Sequence, residues 1–375
     1  MPTRLELWGA RLLAGDIPSS FATKAVLSSL AGCAALYDIG LEAYLSAERI
    51  GLRRRTHLPV PTVSIGNLTV GGTGKTPMTQ LLCRTFAAQG RRAAVLSRGH
   101  GGAGQGVRIV SDGQGTVLLG AEDAGDEPLL LARTLPSNSV LVGKDRRESG
   151  REALRRFAPD ALVLDDGFQF WQLGRELDIV LLDARRPFDN GWPLPRGLLR
   201  EPKRHLRRAQ MVVVTRSESL DSVEREQLQR EISRLAPRVE TYWARHAAQG
   251  FVPAANLAGA LLPLNALRGQ RIVALSGIAQ PGSFARSLTE DAYVEIVHHL
   301  IYPDHARYGL GDVAAVNAAI EAKGAAALVM TEKDAVKWPH SPALSVPVYA
   351  LRTAMQVEDE ARWAASVMRR LFGQT

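Results

Sequence analysis

Apolar positions concentrate in short blocks at residues 60–65, 93–97, 140–142, 161–164, 177–183 and 211–215. Mostly apolar blocks of that length predict strands buried on both faces, as in a parallel sheet. Between them, helical spacing predicts helices over 78–89, 129–134, 144–157 and 222–235. Residues 107–110 and 116–119 read as a hairpin around Asp112-Gly113. The composition shifts at Pro237 and the pattern restarts. It predicts a connecting strand at 239–246, a loop at 261–269, strands at 271–275, 294–300, 326–330 and 346–351, and helices at 284–289, 314–322 and 357–372. Strand–helix alternation throughout predicts an α/β fold. The chain has no internal repeats and no low-complexity tracts.

The strand predicted at 60–65 leads into Gly66-Asn67-Leu68-Thr69-Val70-Gly71-Gly72-Thr73-Gly74-Lys75-Thr76-Pro77, followed by a helix. Strand, glycine-rich loop, Lys-Thr and helix are the parts of a phosphate-binding loop. Backbone N–H groups crowd around phosphate oxygens, and the helix N-terminus adds partial positive charge. Lys75 is placed for the β/γ-phosphates and Thr76 for Mg²⁺. The full pattern wants Gly where Thr69 stands. A second motif fits the first: the block 161–164 ends in Asp165-Asp166-Gly167-Phe168-Gln169, a buried strand presenting carboxylates toward Mg²⁺ or its waters.

Length and charge refine this picture. At 375 residues the chain exceeds one compact core, so a large and a smaller domain are expected. Its formal charge of +8 and pI near 9.8 suit an anionic partner: nucleic acid, anionic lipid or a phosphorylated substrate. Cys33 and Cys83 lack metal-ligand spacing and read as buried thiols in a reducing compartment. Glu6 and Asp16 argue against a secretory signal. The apolar run 25–37 is shorter than the about 20 residues a bilayer span needs. It is interrupted by Asp38 and Glu42 and followed by Arg49, Arg53, Arg54 and Arg55. Such a helix fits a lipid interface or a place on the protein's own core.

Several further positions carry chemistry. Ser97-Arg98-Gly99-His100-Gly101-Gly102 follows a strand, where open α/β sheets bind ligands, and Arg98 suits an anion. Asp126 stands where a helix N-cap would. Residues 184–202 form a long basic loop rich in Pro, Gly, Trp and Leu, suited to a substrate anionic at one end and apolar at the other. Asp304-His305 reads as an acid–base pair or a structural one. Thr331-Glu332-Lys333-Asp334 reads either as a nucleotide-base reader or as a capped helix start.

These motifs, with Gly125-Asp126-Glu127-Pro128, Gly191-Trp192-Pro193-Leu194-Pro195-Arg196-Gly197, Leu199-Arg200-Glu201-Pro202 and Lys333-Asp334-Ala335-Val336-Lys337, stand in the order seen in the tetraacyldisaccharide 4'-kinase family. The chain resembles that family from its N-terminal helix to its last strand. It departs at His100, where Tyr is common, and at Arg196, where Ala is common. The resemblance implies a P-loop NTPase-like α/β/α sandwich at 59–237, a smaller α/β domain at 238–375 and a membrane-associating helical region at 1–58. It implies transfer of the γ-phosphate of ATP to the 4'-hydroxyl of tetraacyldisaccharide 1-phosphate, giving lipid IVA of lipid A biosynthesis. The enzyme would be a monomer with ATP and Mg²⁺, peripheral on the cytoplasmic face of the inner membrane, acting in a cleft that closes to bring Asp126 and His305 together.

The resemblance also assigns roles. Asp126, oriented by His305, is the candidate base, with Lys75 and Arg200 completing the catalytic set. Thr69, Val70, Gly71, Gly72, Thr73, Gly74, Lys75 and Thr76 hold the nucleotide, with Lys333 and Asp334. Thr76, Asp165, Asp166 and Glu201 are the metal set, and Asn67 and Arg98 the substrate contacts. Two other readings compete. A partitioning or metal-insertion P-loop NTPase would carry a signature Lys at Val70 or His/Cys-rich tracts, which the chain lacks. A nucleic-acid module would interleave its basic residues with aromatic stacking platforms, also lacking here.

Overall fold

The computed structural model describes residues 20–52, 54–339 and 344–373. Glu6, Asp16, Arg53 and the Arg49 side chain, used above, lie outside the described residues. Thirteen strands occur among the described residues: β1 (Thr62–Asn67), β2 (Ala93–Ser97), β3 (Arg108–Asp112), β4 (Ser139–Val142), β5 (Ala161–Asp165), β6 (Leu177–Asp183), β7 (Met211–Thr215), β8 (Glu240–Pro253), β9 (Leu262–Pro263), β10 (Arg271–Ser276), β11 (Glu295–Ile301), β12 (Ala327–Thr331) and β13 (Val348–Val357). The chain divides into two compact units, each assembled from separated stretches.

The first unit draws on Met1–Lys75, Asp166–Arg245 and Val357–Thr375. In it β8, β7, β6 and β1 lie side by side, all parallel. β1 and β7 are buried along their whole length and β6 up to Asp183, and the buried polar residues Ser64 on β1 and Asp178 on β6 hydrogen-bond to each other. Leu68, Phe168, Val180, Leu182, Phe188, Leu199, Val212, Val214 and Ile232 close one core around them. The helix Ser222–Leu235 begins where the sequence predicts, because Asp221 and Glu224 form a reciprocal capping box.

The second unit comprises Thr76–Asp165 and His246–Gln356. There β5, β2 and β4 run parallel, with β3 antiparallel on β4. A separate run, β11, β10, β12 and β13, is parallel throughout. Phe251, Ile272, Ala274, Phe284, Leu288, Val329 and Leu351 fill its core.

The predicted hairpin forms in short: Asp112 N–H donates to the Thr116 carbonyl at 3.2 Å, Leu118 N–H donates to the Val110 carbonyl at 2.8 Å, and Ser111 bridges Val117, while the other edge of β3 lies on β4. Val117 and Leu118 are exposed, so the second arm buries little. Three local expectations are corrected. The last helix starts at Glu360 rather than 357, because Asp359 accepts the Arg362 N–H and caps it, while Val357 ends β13. Cys33 is exposed and only Cys83 is buried. The apolar segment is a helix of 29 residues, Phe21–Arg49, because Asp38 and Glu42 do not interrupt it. Both pair with Arg204, at 2.5 and 3.0 Å. Its stretch Phe21–Ala47 is long and apolar enough, by length and composition, to cross a membrane, with mean hydropathy 1.3 and 11% of the most apolar window buried.

β8 is tied to the C-terminal helix through Glu240, which accepts from Ser366 Oγ at 2.7 Å, Tyr242 Oη at 2.8 Å and Arg370 Nε at 3.1 Å. Burial alone raises the Glu240 carboxyl, but these donors outweigh it and bring it down to about 2. A carboxyl depressed in the fold stabilises above its unfolded value, and that contribution fades as pH falls through the folded one. Glu240→Gln is therefore expected to lower the thermal midpoint near neutrality, the gap to the parent closing from about pH 4.5 to about pH 2. Melting curves across that range check it; a gap independent of pH contradicts the assignment.

Candidate active site

The glycine-rich loop leaves β1 at Asn67 and enters the helix Lys75–Ala88. Gly71 and Gly74 take φ of 125° and 93°, the turn geometry that aims backbone amides inward. The loop is strapped from both sides. Val70 N–H donates to the Leu198 carbonyl at 2.8 Å, and Arg200 N–H donates to the Leu68 carbonyl at 2.6 Å. Thr215 Oγ1 donates to the Thr73 carbonyl at 3.0 Å, and Arg216 reaches the Gly72 carbonyl at 3.3 Å. With its carbonyls taken up behind it, the loop can present N–H groups to an anion.

Lys75 Nζ lies 3.5 Å from both Asn67 Oδ1 and the Gly71 carbonyl, and 3.8 Å from Asp166 Oδ1. Arg200 Nη1 donates to both oxygens of the same carboxylate, at 2.8 and 2.9 Å. Asp166 takes φ of 53°, and its side chain is 31% exposed. Two cations thus share one carboxylate, leaving a net positive charge at the loop. The basic loop that supplies Arg200 is compact: Asn190 accepts from Trp192 N–H and donates to the Arg196 carbonyl, both at 3.1 Å, and Arg196 stacks over Trp192.

The other expected metal ligands are less open. Asp165 is 1% exposed and accepts from Thr79 Oγ1 at 3.1 Å and Ser97 Oγ at 3.4 Å. Glu201 is 0% exposed. Its Oε1 accepts from Gln169 at 3.0 Å, and its Oε2 meets Arg208 at 2.6 Å and His205 Nδ1 at 2.8 Å. Glu201 therefore faces inward, its oxygens engaged by the fold. Asn67 is also buried, whereas Arg98 and His100 are exposed. Among the described residues no three His, Cys, Asp or Glu side chains form a metal cage. A Mg²⁺ site completed by nucleotide phosphates needs only one or two carboxylates, and the partly exposed Asp166 fits that chemistry.

In the second unit, Asp126 is the first residue of the helix Asp126–Thr134, but the cap is Gly125 and no side chain caps it. The Asp126 carboxylate is free for another task. Its Oδ2 lies 3.1 Å from His305 Nδ1 and 3.3 Å from Lys337 Nζ, and its Oδ1 meets no partner among the described residues. Lys333 Nζ lies 3.3 Å from His305 Nε2 and 2.8 Å from Asp304 Oδ1. An ammonium only donates, so a bond from Lys333 makes Nε2 the acceptor and assigns the Nδ1–H to Asp126. Burial raises the Asp304 carboxyl, but Lys333 and His305 outweigh it and hold it below the usual carboxylate value. Lys333 thus orders the histidine loop. Asp334 is wholly buried and accepts from the Gly277 N–H and the Tyr308 and Thr331 hydroxyls, so it faces the fold rather than a nucleotide base. Thr331 also caps the short helix that follows it, as one of the two sequence readings has it.

The sequence motifs contain Lys337 and Gln169 without a task for either, and no motif contains His205 or Tyr37. Lys337 is 5% exposed, and no local pattern marks a buried ammonium aimed at a carboxylate more than two hundred positions away.

A strapped glycine-rich loop ending in a lysine, beside a strand-tip carboxylate shared with an arginine, defines a P-loop phosphoryl-transfer protein of α/β type. The chain belongs to the tetraacyldisaccharide-1-P 4'-kinase family, whose model matches residues 26–371. It is 44% identical over 365 residues to the tetraacyldisaccharide 4'-kinase of Anaeromyxobacter dehalogenans strain 2CP-C, covering 96% of this chain and 89% of the relative. The kinase of Geobacter sulfurreducens is 41% identical over 362 residues, covering 95% and 97%. Among solved structures, LpxK from Aquifex aeolicus in complex with ATP superposes with a TM-score of 0.73 at 27% identity, covering 92% of this chain and all of that one.

Gly125 takes φ 87° and ψ 158°, and a Cβ there would lie 2.4 Å from the His100 carbonyl oxygen. Only glycine lets the Arg98–His100 loop pack against the start of the Asp126 helix. Gly125→Ala is expected to cost about 1–3 kcal/mol of stability and to lower turnover at temperatures where it stays folded. Denaturant titration with kinase assay checks it; parental values for both contradict it.

Proposed function

We propose that the protein transfers the γ-phosphoryl group of ATP to the 4'-hydroxyl of a tetraacyldisaccharide 1-phosphate, giving lipid IVA. The observation that carries this reading is Lys75 and Arg200 converging on Asp166 at a phosphate loop, in a chain of this family. Lys75 and the loop amides hold the β- and γ-phosphates. Arg200 exchanges Asp166 for phosphate oxygens and offsets charge developing on the transferred group. Asp126 accepts the proton of the 4'-hydroxyl on Oδ1, while His305 and Lys337 hold Oδ2. Asp166, Asp165 and Thr76 are the residues that would hold Mg²⁺. When bound, the ion neutralises phosphate charge. Arg98, exposed after β2, is a contact for the glycolipid's anionic end.

The helix Phe21–Arg49 is read as a peripheral anchor. Ala34, Leu41 and Leu45 are buried, while Phe21, Leu36 and Ile39 are exposed. Its charged residues Asp38 and Glu42 are held by Arg204 on the body of the first unit. The described stretch before Tyr37 measures about 24 Å at about 1.5 Å per residue, short of the about 30 Å hydrocarbon core. It fits a helix lying in the headgroup region of the inner membrane's cytoplasmic leaflet.

Transfer of label from γ-³²P-ATP to tetraacyldisaccharide 1-phosphate tests the activity, and its abolition by chelator with restoration by Mg²⁺ tests the metal. Asp126→Ala and His305→Ala are each expected to keep ATP binding and to lose about 10²–10⁴-fold in turnover. Near-parental turnover in either removes the Asp126–His305 pair from the mechanism.

A further inference from the structure

A line of polar contacts runs, within the first unit, from the N-terminal helix to the segment that carries Arg200. The Tyr37 hydroxyl donates to the Arg200 carbonyl at 2.8 Å. Farther along the helix, Glu42 Oε1 lies 2.8 Å from His205 Nε2. His205 is 1% exposed, and its other ring nitrogen lies 2.8 Å from Glu201 Oε2. Glu201 in turn accepts from Gln169, which also donates to the Asn67 carbonyl at 3.0 Å. Arg204 clasps Asp38 and Glu42 on the same helix. Arg200 and Glu201, adjacent in sequence, are therefore both held by the helix: one through its backbone, the other through a buried imidazole.

A helix that served only to attach the protein to lipid would need an apolar face and a flexible tether. Burying a carboxylate and an imidazole costs desolvation that attachment does not require. Those contacts make sense if they fix a side chain whose placement matters to within a fraction of an ångström. Arg200, with two bonds to Asp166, is that side chain.

We infer that Tyr37 and His205 are positioning residues of the phosphoryl-transfer site, through which the N-terminal helix holds Arg200 in line with the phosphate loop. The inference rests on the assignment of Arg200 to the phosphates. Removing either link lets the Arg200-Glu201 segment relax, and misplacement of that order costs about 10- to 100-fold in kcat.

The test uses the full-length protein in detergent micelles, where attachment to a bilayer does not limit the rate. Tyr37→Phe, His205→Gln and His205→Leu are assayed with ATP and tetraacyldisaccharide 1-phosphate, beside binding of a non-hydrolysable ATP analogue and sedimentation with vesicles containing anionic phospholipid. Tyr37→Phe and His205→Leu are expected to lose about 10- to 100-fold in kcat while glycolipid KM, analogue binding and sedimentation stay near parental. His205→Gln, which keeps one polar link, falls between His205→Leu and the parent. Should His205→Leu not fold, Tyr37→Phe, which removes one hydroxyl, decides alone. Parental kcat in Tyr37→Phe overturns the inference, as does loss of sedimentation in step with activity. A parent that transfers no phosphate overturns the kinase reading itself, and is seen before any variant is compared.

Discussion

The carboxylate of Asp166 is the point on which the first unit's chemistry turns. Lys75 and Arg200 approach it from two distant parts of the chain, and neither is fully neutralised by a carboxylate shared between them. A polyphosphate would meet a loop already charged in its favour. The arrangement depends on the left-handed backbone of Asp166, just after β5, and on the straps between Leu68, Val70, Leu198 and Arg200. Cut the straps, and Arg200 is a side chain on a long loop. With them, it belongs to the phosphate loop.

Close approach of backbones does similar work beneath the site. A Cβ on Gly66 would lie 2.5 Å from the Phe168 Cβ, so β1 admits the turn after the acidic pair only because it carries glycine there. The unit boundaries fall between Lys75 and Thr76 and between Asp165 and Asp166.

Motifs confined to a few consecutive residues were legible in the sequence, because strand, turn and helix leave a local pattern. The phosphate loop, the Asp165-Asp166 pair and the helix capped by Asp221 are of this kind. The family resemblance supplied what no local pattern holds, namely the pairing of Asp126 with His305, whose side chains do meet. Neither source disclosed that Glu201 turns inward, because its partners His205, Arg208 and Gln169 become partners only when the Lys203–Arg208 turn is folded. The apolar run 25–37 reads as shorter than the apolar stretch of the helix for a related reason. Asp38 and Glu42 look like interruptions until Arg204, more than 160 positions later, neutralises them.

Carboxylates of identical chemistry are sorted here by the donors around them. Glu201 is saturated by an amide, a guanidinium and an imidazole with no access to solvent, which suits a structural anchor. Asp165 is buried and oriented by the Thr79 and Ser97 hydroxyls. Asp166 holds two cations at a partly exposed strand tip, which suits exchange with an anion or a metal. Asp126 has one oxygen held by His305 and Lys337, a geometry that suits the base proposed above, because a held oxygen fixes the direction of the other. Had Asp126 capped its own helix, the cap would have occupied the carboxylate. Gly125, unable to cap with a side chain, leaves it free for His305 and Lys337, so the glycine before the helix is as much a condition of the site as the aspartate at its start.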